Sequence, residues 1–231
     1  MASQVEVSAR PREPLSREWV LQAAVALADQ GGVESLSMRR IAQELGVVPM
    51  ALYKHVADKD EMLDGVVDVV MGEINDIVRQ IGGRSRDWKG ALRGRVLSAR
   101  EILLRHPWAP ALMESRKNVT PAMLRYFDSV IGLLRKAGFS TDLTHHAMHA
   151  LGSRVLGFTQ ELYDDSDELD PDATAMLIQQ MAGEYPHIAD MVREISHDAD
   201  TTLGWCDDQA EFEFALDLIL DGLERLRASG A

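Results

Sequence analysis

The stretch that decides the fold runs from Ser37 to Lys59 and reads SMRRIAQELGVVPMALYKHVADK. Its pattern predicts two short helices joined by a tight turn. Ser37 can cap the first helix, because its hydroxyl accepts from a free N–H group of the opening turn. Gly46 suits the left-handed residue that ends that helix. Pro49 fits the first turn of the second helix, where its missing N–H would have no intrahelical partner.

The second of these helices has an inward and an outward side. Leu52 and Val56 are four residues apart, so they face inward together. The outward residues are small, aromatic or basic: Pro49, Met50, Tyr53, Lys54 and His55. A very short helix with a basic and aromatic exposed end is typical of the recognition helix that enters a DNA groove. The alternative is an ordinary helical hairpin without a role in nucleic-acid binding.

With its flanks, the segment resembles the TetR family of bacterial repressors. The matching stretch is LSREWVLQAAVALADQGGVESLSMRRIAQELGVVPMALYKHVADKDEMLD, from Leu15 to Asp64. The carboxyl-terminal part is similar to the tetracycline-repressor branch through LLRHPW, LLRKAGFS, LGF and EFEFALDLILDGLERL. The resemblance implies a homodimer that binds palindromic operator DNA and releases it when a small molecule enters the larger, carboxyl-terminal part.

We expect seven residues to contact double-stranded operator DNA: Arg39, Pro49, Met50, Tyr53, Lys54, His55 and Lys59. Pro49 and Met50 offer apolar contact with a thymine methyl group. Arg39 is expected on a base edge or a phosphate, as in matching repressors, and Lys54 is expected to contact the DNA as well. Tyr53, His55 and Lys59 are expected to hold phosphates, which position the protein without reading sequence.

Composition limits the function classes. The net charge is −13, yet residues 1–60 hold 7 Lys/Arg against 8 Asp/Glu, and residues 61–231 hold 17 against 29. The excess of acidic residues therefore lies outside the segment that is proposed to bind DNA. This distribution fits a protein that binds a specific DNA site better than a protein that coats DNA. Cys206 is the only cysteine, and no apolar run approaches the ~20 residues of a membrane helix. We expect a cytoplasmic protein without a membrane partner.

The pattern predicts an all-α fold with three parts. Residues 1–15 form a flexible tail, or alternatively a minor-groove arm; residues 16–60 form a three-helix DNA-binding domain; residues 61–231 form a larger helical effector-binding and dimerisation domain. Periodicity and helix-breaking residues place the helices as follows: Ser16–Gln30, the two quoted above, Lys59–Gln80, Trp88–Arg105, Trp108–Ser115, Pro121–Ala137, Thr141–Tyr163, Pro171–Ala182, Ile188–Ser196 and Asp208–Ala228.

Two of these helices are candidates for a dimer interface. The last helix carries an apolar stripe wider than one small domain requires, and the helix from Thr141 carries small residues that permit close approach. The family resemblance implies that both pair with their symmetry mates. The expected interface residues are Ala150, Gly157, Leu216, Leu220 and Leu223. The alternative is that both stripes serve only the internal core.

Soft and aromatic side chains predict an effector cavity. The expected lining residues are Asn75, Leu103, His106, Trp108, Met113, Phe127 and Phe158. By resemblance, His106 in LLRHPW matches a magnesium-ligand histidine of tetracycline repressors, and Glu161 matches a glutamate that helps hold the hydrated metal. Asn75 stands where those repressors have a drug-contacting histidine, which puts tetracycline itself in doubt. We therefore predict a small apolar or drug-like effector and no cofactor or resident metal.

Other signals are weaker. His145, His146 and His149 suggest a metal site, because His145 and His149 are four residues apart and could bind one ion. A metal site normally needs a third protein ligand, so polar interface or pocket roles are favoured. The acidic stretch YDDSDELDPD lacks the glycine and glutamate of a calcium loop. No nucleophile or acid–base constellation favours an enzyme. A helical small-molecule-binding enzyme and a dimeric module with a non-functional helix-turn-helix remain the alternatives.

Overall fold

The computed structural model describes residues 14–81, 87–157, 176, 179–180, 182–194 and 208–230. Within these ranges every regular element is helical. The α-helices, in chain order, are α1 (Arg17–Gly31), α2 (Met38–Glu44), α3 (Pro49–Leu52), α4 (Lys59–Ile81), α5 (Trp88–Arg105), α6 (Ala109–Ser115), α7 (Pro121–Lys136), α8 (Thr141–Gly157), α9 (Pro186–Glu194) and α10 (Asp208–Ser229), with a 3₁₀ turn at Val33–Ser35. The prediction of an all-α fold is confirmed.

Most helix ends agree with the sequence prediction to within two residues, because local chemistry sets them. The Ser16 side chain accepts from the Trp19 N–H at 3.1 Å and begins α1. Asp87 accepts from the Gly90 N–H at 2.6 Å and begins α5. Most of the predicted tail (residues 1–15), most of the predicted helix at Pro171–Ala182 and the end of the helix predicted to reach Tyr163 lie outside the described residues.

The chain divides into two compact units. The first contains Met1–Asp76 and Ile102–Tyr126, and the second contains Ile77–Glu101 and Phe127–Ala231. The first unit therefore combines α1 to α3 and most of α4 with the segment around α6. The functional boundaries predicted at residues 15 and 60 follow a different criterion and stay predictions.

The core of the first unit forms where the buried faces of α1, α2 and α3 meet α4. The fully buried side chains include Val20, Ala24, Ile41, Leu52, Met62, Val66, Val67 and Val70. Burying apolar surface of this kind stabilises the fold by about 25 cal/mol per Å². The core holds the short helix α3 in place, since four residues alone would not stay helical in water.

Two glycines within α4 offer a matched test of packing. A Cβ on Gly65 would lie 2.5 Å from Leu21 Cδ2, whereas a Cβ on Gly72 would meet nothing within 4 Å. Alanine at either position gains about 1 kcal/mol of helix propensity, but overpacking against the buried Leu21 costs about 1–3 kcal/mol. We expect Gly72→Ala to raise and Gly65→Ala to lower the free energy of unfolding in urea. Equal effects would show that α1 and α4 are not closely packed there.

The second unit packs α10 against neighbouring helices. Phe212, Leu216 and Leu220 are 0 % exposed. Trp88 and Phe139 meet edge to face, with ring centroids 4.8 Å apart. At the rim, the Arg93 guanidinium binds Glu213 at 2.6 Å and Asp217 at 2.8 Å. Carboxylates on one side of α10 therefore hold it to α5, while its apolar side fills the core.

This packing does not fit the dimer contacts that the sequence predicted on α10. Leu216, Leu220 and Leu223 are buried within the chain's own core, so they have no surface left for a partner. Their helix has a second apolar face, exposed to solvent, at Phe214, Leu218 and Leu226. Ala150, also predicted at the dimer interface, is exposed on α8, and Gly157 is the last residue of that helix. The apolar residues of α10 therefore form one buried and one exposed face.

Candidate nucleic-acid interface

Helices α2 and α3 form the predicted helix-turn-helix. The Ser37 hydroxyl accepts from the Arg40 N–H at 3.2 Å and caps α2. Gly46 has φ +64°, the left-handed conformation that glycine adopts without steric cost. The Val47 N–H then donates to the Ala42 carbonyl at 2.9 Å and closes the turn. Pro49 is at the start of α3, as expected.

The two sides of α3 are sharply different. Leu52 is 0 % exposed and Val56 1 % exposed, whereas Met50 is 72 % and Tyr53 48 % exposed. Arg39, Pro49, Lys54 and Lys59 are also exposed, and His55 is half-buried. The structure therefore places all seven predicted DNA contacts in one short segment, from α2 to the start of α4. It leaves them outside the apolar core that fixes their backbone.

Sequence reasoning missed Val48, whose side chain is 67 % exposed immediately before α3. It also passed over Arg40 and Gln43, which are exposed on α2. An exposed valine next to an exposed methionine extends the apolar part of the surface. Val48 is the extended N-cap residue of α3, so its four-residue spacing to Leu52 does not place it on the inward side.

The start of α4 is fixed by a reciprocal cap directly after this surface. The Glu61 N–H donates to Asp58 Oδ1 at 2.8 Å, and the Ala57 N–H donates to Glu61 Oε2 at 2.6 Å. The Arg17 guanidinium of α1 lies 3.5 Å from Glu61 Oε1. These contacts tie the residues that directly follow the predicted DNA contacts, and Arg17 of α1, to the first turn of α4.

Further along α4, acidic side chains hold the segment that follows α6. Arg116 donates to Asp64 at 2.6 Å and to Asp60 at 3.0 Å, and Asn118 donates to Asp64 at 2.7 Å. Burial by itself would raise the pKa of Asp64, but the hydrogen bonds from Arg116 and Asn118 outweigh it and lower that pKa. Asp68 accepts from the Ala122 N–H at 2.8 Å. Residues 116–122 are thereby held along α4.

A second group of contacts joins α1, α4 and the break between α5 and α6. His106 Nδ1 lies 2.7 Å from Asp29 Oδ1, and Trp108 Nε1 donates to the same oxygen at 2.7 Å. His106 Nε2 lies 3.5 Å from Glu73 Oε2 on α4. The His106 side chain is only 8 % exposed. We call Asp29, Glu73, His106 and Trp108 the polar clamp; sequence reasoning missed its two carboxylates, because nothing in their local pattern marks them.

The polar clamp predicts unequal effects on stability. Asp29→Ala leaves two buried donors without an acceptor, at about 1–3 kcal/mol each, whereas Trp108→Phe removes one hydrogen bond, at about 1 kcal/mol. We expect urea unfolding to place Asp29→Ala clearly below Trp108→Phe, and Glu114→Ala on the exposed side of α6 near the wild type. An Asp29→Ala variant as stable as the wild type would mean that the clamp contributes nothing.

The predicted effector residues are only partly brought together. Leu103, His106, Trp108 and Met113 are buried in the first unit. Asn75 is there too, but its amide donates to the carbonyls of Met71 and Ala122 at 2.8 and 2.9 Å. Phe127 belongs to the second unit, at the start of its Phe127–Ala231 segment, and Phe158 lies outside the described residues. The effector site stays a prediction.

The sequence prediction also concerned metal ligands and membrane-spanning helices. Of the two weak metal candidates, His106 is engaged in the polar clamp, and Glu161 lies outside the described residues. Across the part of the chain that the structure describes, no three or more His, Cys, Asp or Glu side chains gather as a metal site. None of the described helices has the length and apolarity needed to span a membrane.

Comparison with known proteins gives the same picture over both parts of the chain. Residues 20–66 match the family "Bacterial regulatory proteins, tetR family", and residues 83–227 match "Tetracyclin repressor-like, C-terminal domain". The transcriptional repressor DrrR1 of Streptomyces coeruleorubidus is 32% identical over 94% of this chain and 80% of its own. The class C tetracycline repressor of Escherichia coli is 28% identical over 92% of each chain.

A solved structure described as a possible TetR family transcriptional regulator of Streptomyces coelicolor aligns with a TM-score of 0.71. It is 29% identical and covers 91% of this chain and 100% of its own. The family resemblance seen in the sequence is therefore confirmed in both parts and in the fold. The chain belongs to the TetR family of ligand-responsive transcriptional repressors.

Proposed function

We propose that this chain represses transcription as a homodimer bound to a palindromic operator, and that a small apolar or drug-like molecule releases it. The proposal that the chain binds DNA rests on the contrast between exposed and buried side chains in α3 and directly after it. Met50 and Tyr53 are exposed over the buried Leu52 and Val56. A large exposed apolar and aromatic patch has no structural purpose in a free monomer, but it fits the major groove.

Each residue of the surface then has a role. Met50 and Pro49, joined by Val48, contact thymine methyl groups, and Arg39 reaches a base edge or a phosphate. Tyr53, Lys54, His55 and Lys59 hold the sugar–phosphate backbone. The acidic balance of the remaining chain keeps nonspecific phosphate attraction low, so that these placed contacts dominate the affinity.

The dimer is proposed to form through the outer faces of α8 and α10. Phe214 is 63 % exposed, Leu218 57 % and Leu226 47 %. Ala150 is exposed on the neighbouring helix α8. An isologous contact between two copies of this surface buries the apolar face and places two recognition helices on one duplex. Half-sites one DNA turn apart, about 34–36 Å, are the expected spacing.

Effector release is proposed to act through the segment from Ile102 to Tyr126. This segment shares one compact unit with α1 to α3. It is tied to α1 and α4 by the polar clamp and by Arg116. An effector that displaces His106 or Trp108 would therefore shift the elements that carry the DNA surface. It can do so only by binding the released state better than the DNA-bound state.

The effector itself is proposed by likeness and by chemistry. One similar protein is named tetracycline repressor protein class C. In this chain, Leu103, Trp108 and Met113 are apolar or aromatic side chains buried in the first compact unit. Since Asn75 bonds to backbone carbonyls, we propose a planar, largely apolar compound other than tetracycline. We further propose that the protein works in the cytoplasm and turns over no substrate.

The proposal is tested by anisotropy of a labelled operator duplex, titrated with protein and then with planar apolar compounds. We expect one dimer per operator, and an effector that weakens operator binding by the factor by which operator weakens effector binding. The titration is repeated with and without Mg²⁺, since a magnesium requirement would bring His106 back as a ligand. A compound that stabilises the protein without changing operator affinity would contradict release by an effector.

A further inference from the structure

Three histidines stand on the outer face of α8, in the second compact unit. His145, His146 and His149 are all exposed. The rings of His145 and His149 are four residues apart and have centroids 4.6 Å from one another, with an interplanar angle of 75°. His146 instead faces Asp142, with Nε2 3.5 Å from Oδ2. Apart from the polar interface or pocket role considered from the sequence, no role described above uses these imidazoles.

The separation of the two rings matches that of two imidazoles bound to one ion. With metal–nitrogen bonds of ~2.0–2.1 Å, ring centres ~1.1 Å beyond the nitrogens and angles of ~90–110° at the ion, the centres lie ~4.5–5.2 Å apart. The observed 4.6 Å falls within that range. Side chains at positions i and i+4 of a helix are stacked on one face, so small rotations about the side-chain bonds aim both nitrogens at one point.

We propose that His145 and His149 of one chain chelate one divalent transition metal ion of the zinc, nickel or copper type. Imidazole nitrogen suits these ions, whereas Mg²⁺ and Ca²⁺ prefer oxygen ligands. Among the described residues no third His, Cys, Asp or Glu completes a metal site. Water therefore takes the remaining positions, and the exposure of both rings leaves room for it. Asp142 adds a negative charge on the same face, which favours a cation.

The chelate has a structural consequence that is independent of DNA binding. It joins two successive turns of α8, so the ion binds the folded helix better than the unfolded chain. Any ligand that prefers the folded state raises the free energy of unfolding in proportion to the logarithm of its concentration. The melting temperature of the protein is therefore expected to rise with added metal, in the absence of operator and effector.

The test is calorimetric titration of Zn²⁺ into the full chain carrying Cys206→Ser, which removes its only thiol. We expect one ion per chain, and at least a tenfold loss of affinity in His145→Ala and in His149→Ala. His146→Ala, the adjacent residue, and His187→Ala, an exposed histidine on α9, are the matched controls and should keep the affinity. Mg²⁺ titrated in the same way should give no heat of binding and no rise in melting temperature.

The side chains concerned are exposed, so each variant should keep the helical circular-dichroism spectrum of its parent. Absence of Zn²⁺ binding would overturn the proposal, and so would binding that survives both His145→Ala and His149→Ala. Loss of binding in His146→Ala with retention in the other two would also overturn it, because the ion would then belong to a different pair. None of these results depends on whether the protein binds an operator.

Discussion

Replacing Leu220 by glutamate is expected to unfold the second compact unit, whereas the same change at Leu218 should give folded monomers. Leu220 is 0 % exposed and packs inside the chain, while Leu218 is 57 % exposed on the other face of α10. A carboxylate buried without a partner costs several kcal/mol, a large part of the stability of a domain. At position 218 the charge stays in water in the monomer and is desolvated only in a dimer.

The measurement is light scattering together with a thermal melt monitored by circular dichroism, on both variants and on Glu211→Gln as an exposed control on α10. We expect insoluble or non-cooperatively melting protein for Leu220→Glu. We expect a mass near 25.6 kDa with a retained melt for Leu218→Glu, against twice that mass for the wild type. A dimeric Leu218→Glu would contradict the proposed interface, and a well-folded Leu220→Glu would contradict its place in the core.

Tyr53→Ala and Lys54→Ala are expected to lose operator binding while the fold and the dimer survive. Both residues directly follow α3 and are exposed, whereas the neighbouring Leu52 and Val56 are buried, so their removal opens no cavity. If each DNA-binding domain loses about 1–2 kcal/mol of binding free energy, the dimer loses about 2–4 kcal/mol, which is roughly 30- to 1,000-fold in affinity. Removing Lys54 from both chains of the dimer should also reduce the slope of log affinity against log salt concentration by about two.

Matched controls separate loss of contact from loss of charge or surface. Tyr185 is 49 % exposed, close to the 48 % of Tyr53, but lies in the second compact unit. Lys117 is an exposed lysine outside the helix-turn-helix. Tyr185→Ala and Lys117→Ala should bind the operator nearly as the wild type does. Normal affinity in both Tyr53→Ala and Lys54→Ala would reject α3 as the recognition helix.

Features set by local chemistry could be predicted from the sequence. Ser37, Gly46 and Pro49 have short-range roles in capping, turning and starting a helix, and the structure places them in those roles. The inward position of Leu52 and Val56 follows from helical periodicity alone, and both are buried. The seven predicted DNA contacts lie in one continuous segment for the same reason, and their contact with DNA stays a prediction.

Features that depend on distant parts of the chain could not be predicted. Asp29 and Glu73 belong to the polar clamp only because α1, α4 and the α5–α6 break meet in space. The dimer residues predicted on α10 lie in the chain's own core, because apolar residues occupy both sides of that helix. Periodicity shows that Leu220 and Leu218 point in different directions, but only packing shows which direction is the core.

The most direct test is to select binding sites from a pool of random DNA duplexes with the full chain, and to measure how many chains bind each duplex of the enriched sequence. The account predicts an enriched inverted repeat with half-sites about 10 bp apart, bound by two copies of the chain. It also predicts that Tyr53→Ala and Lys54→Ala enrich no sequence, while Tyr185→Ala enriches the same one. Enrichment of no sequence by the wild type, or of a single asymmetric site bound by one chain, would contradict the account.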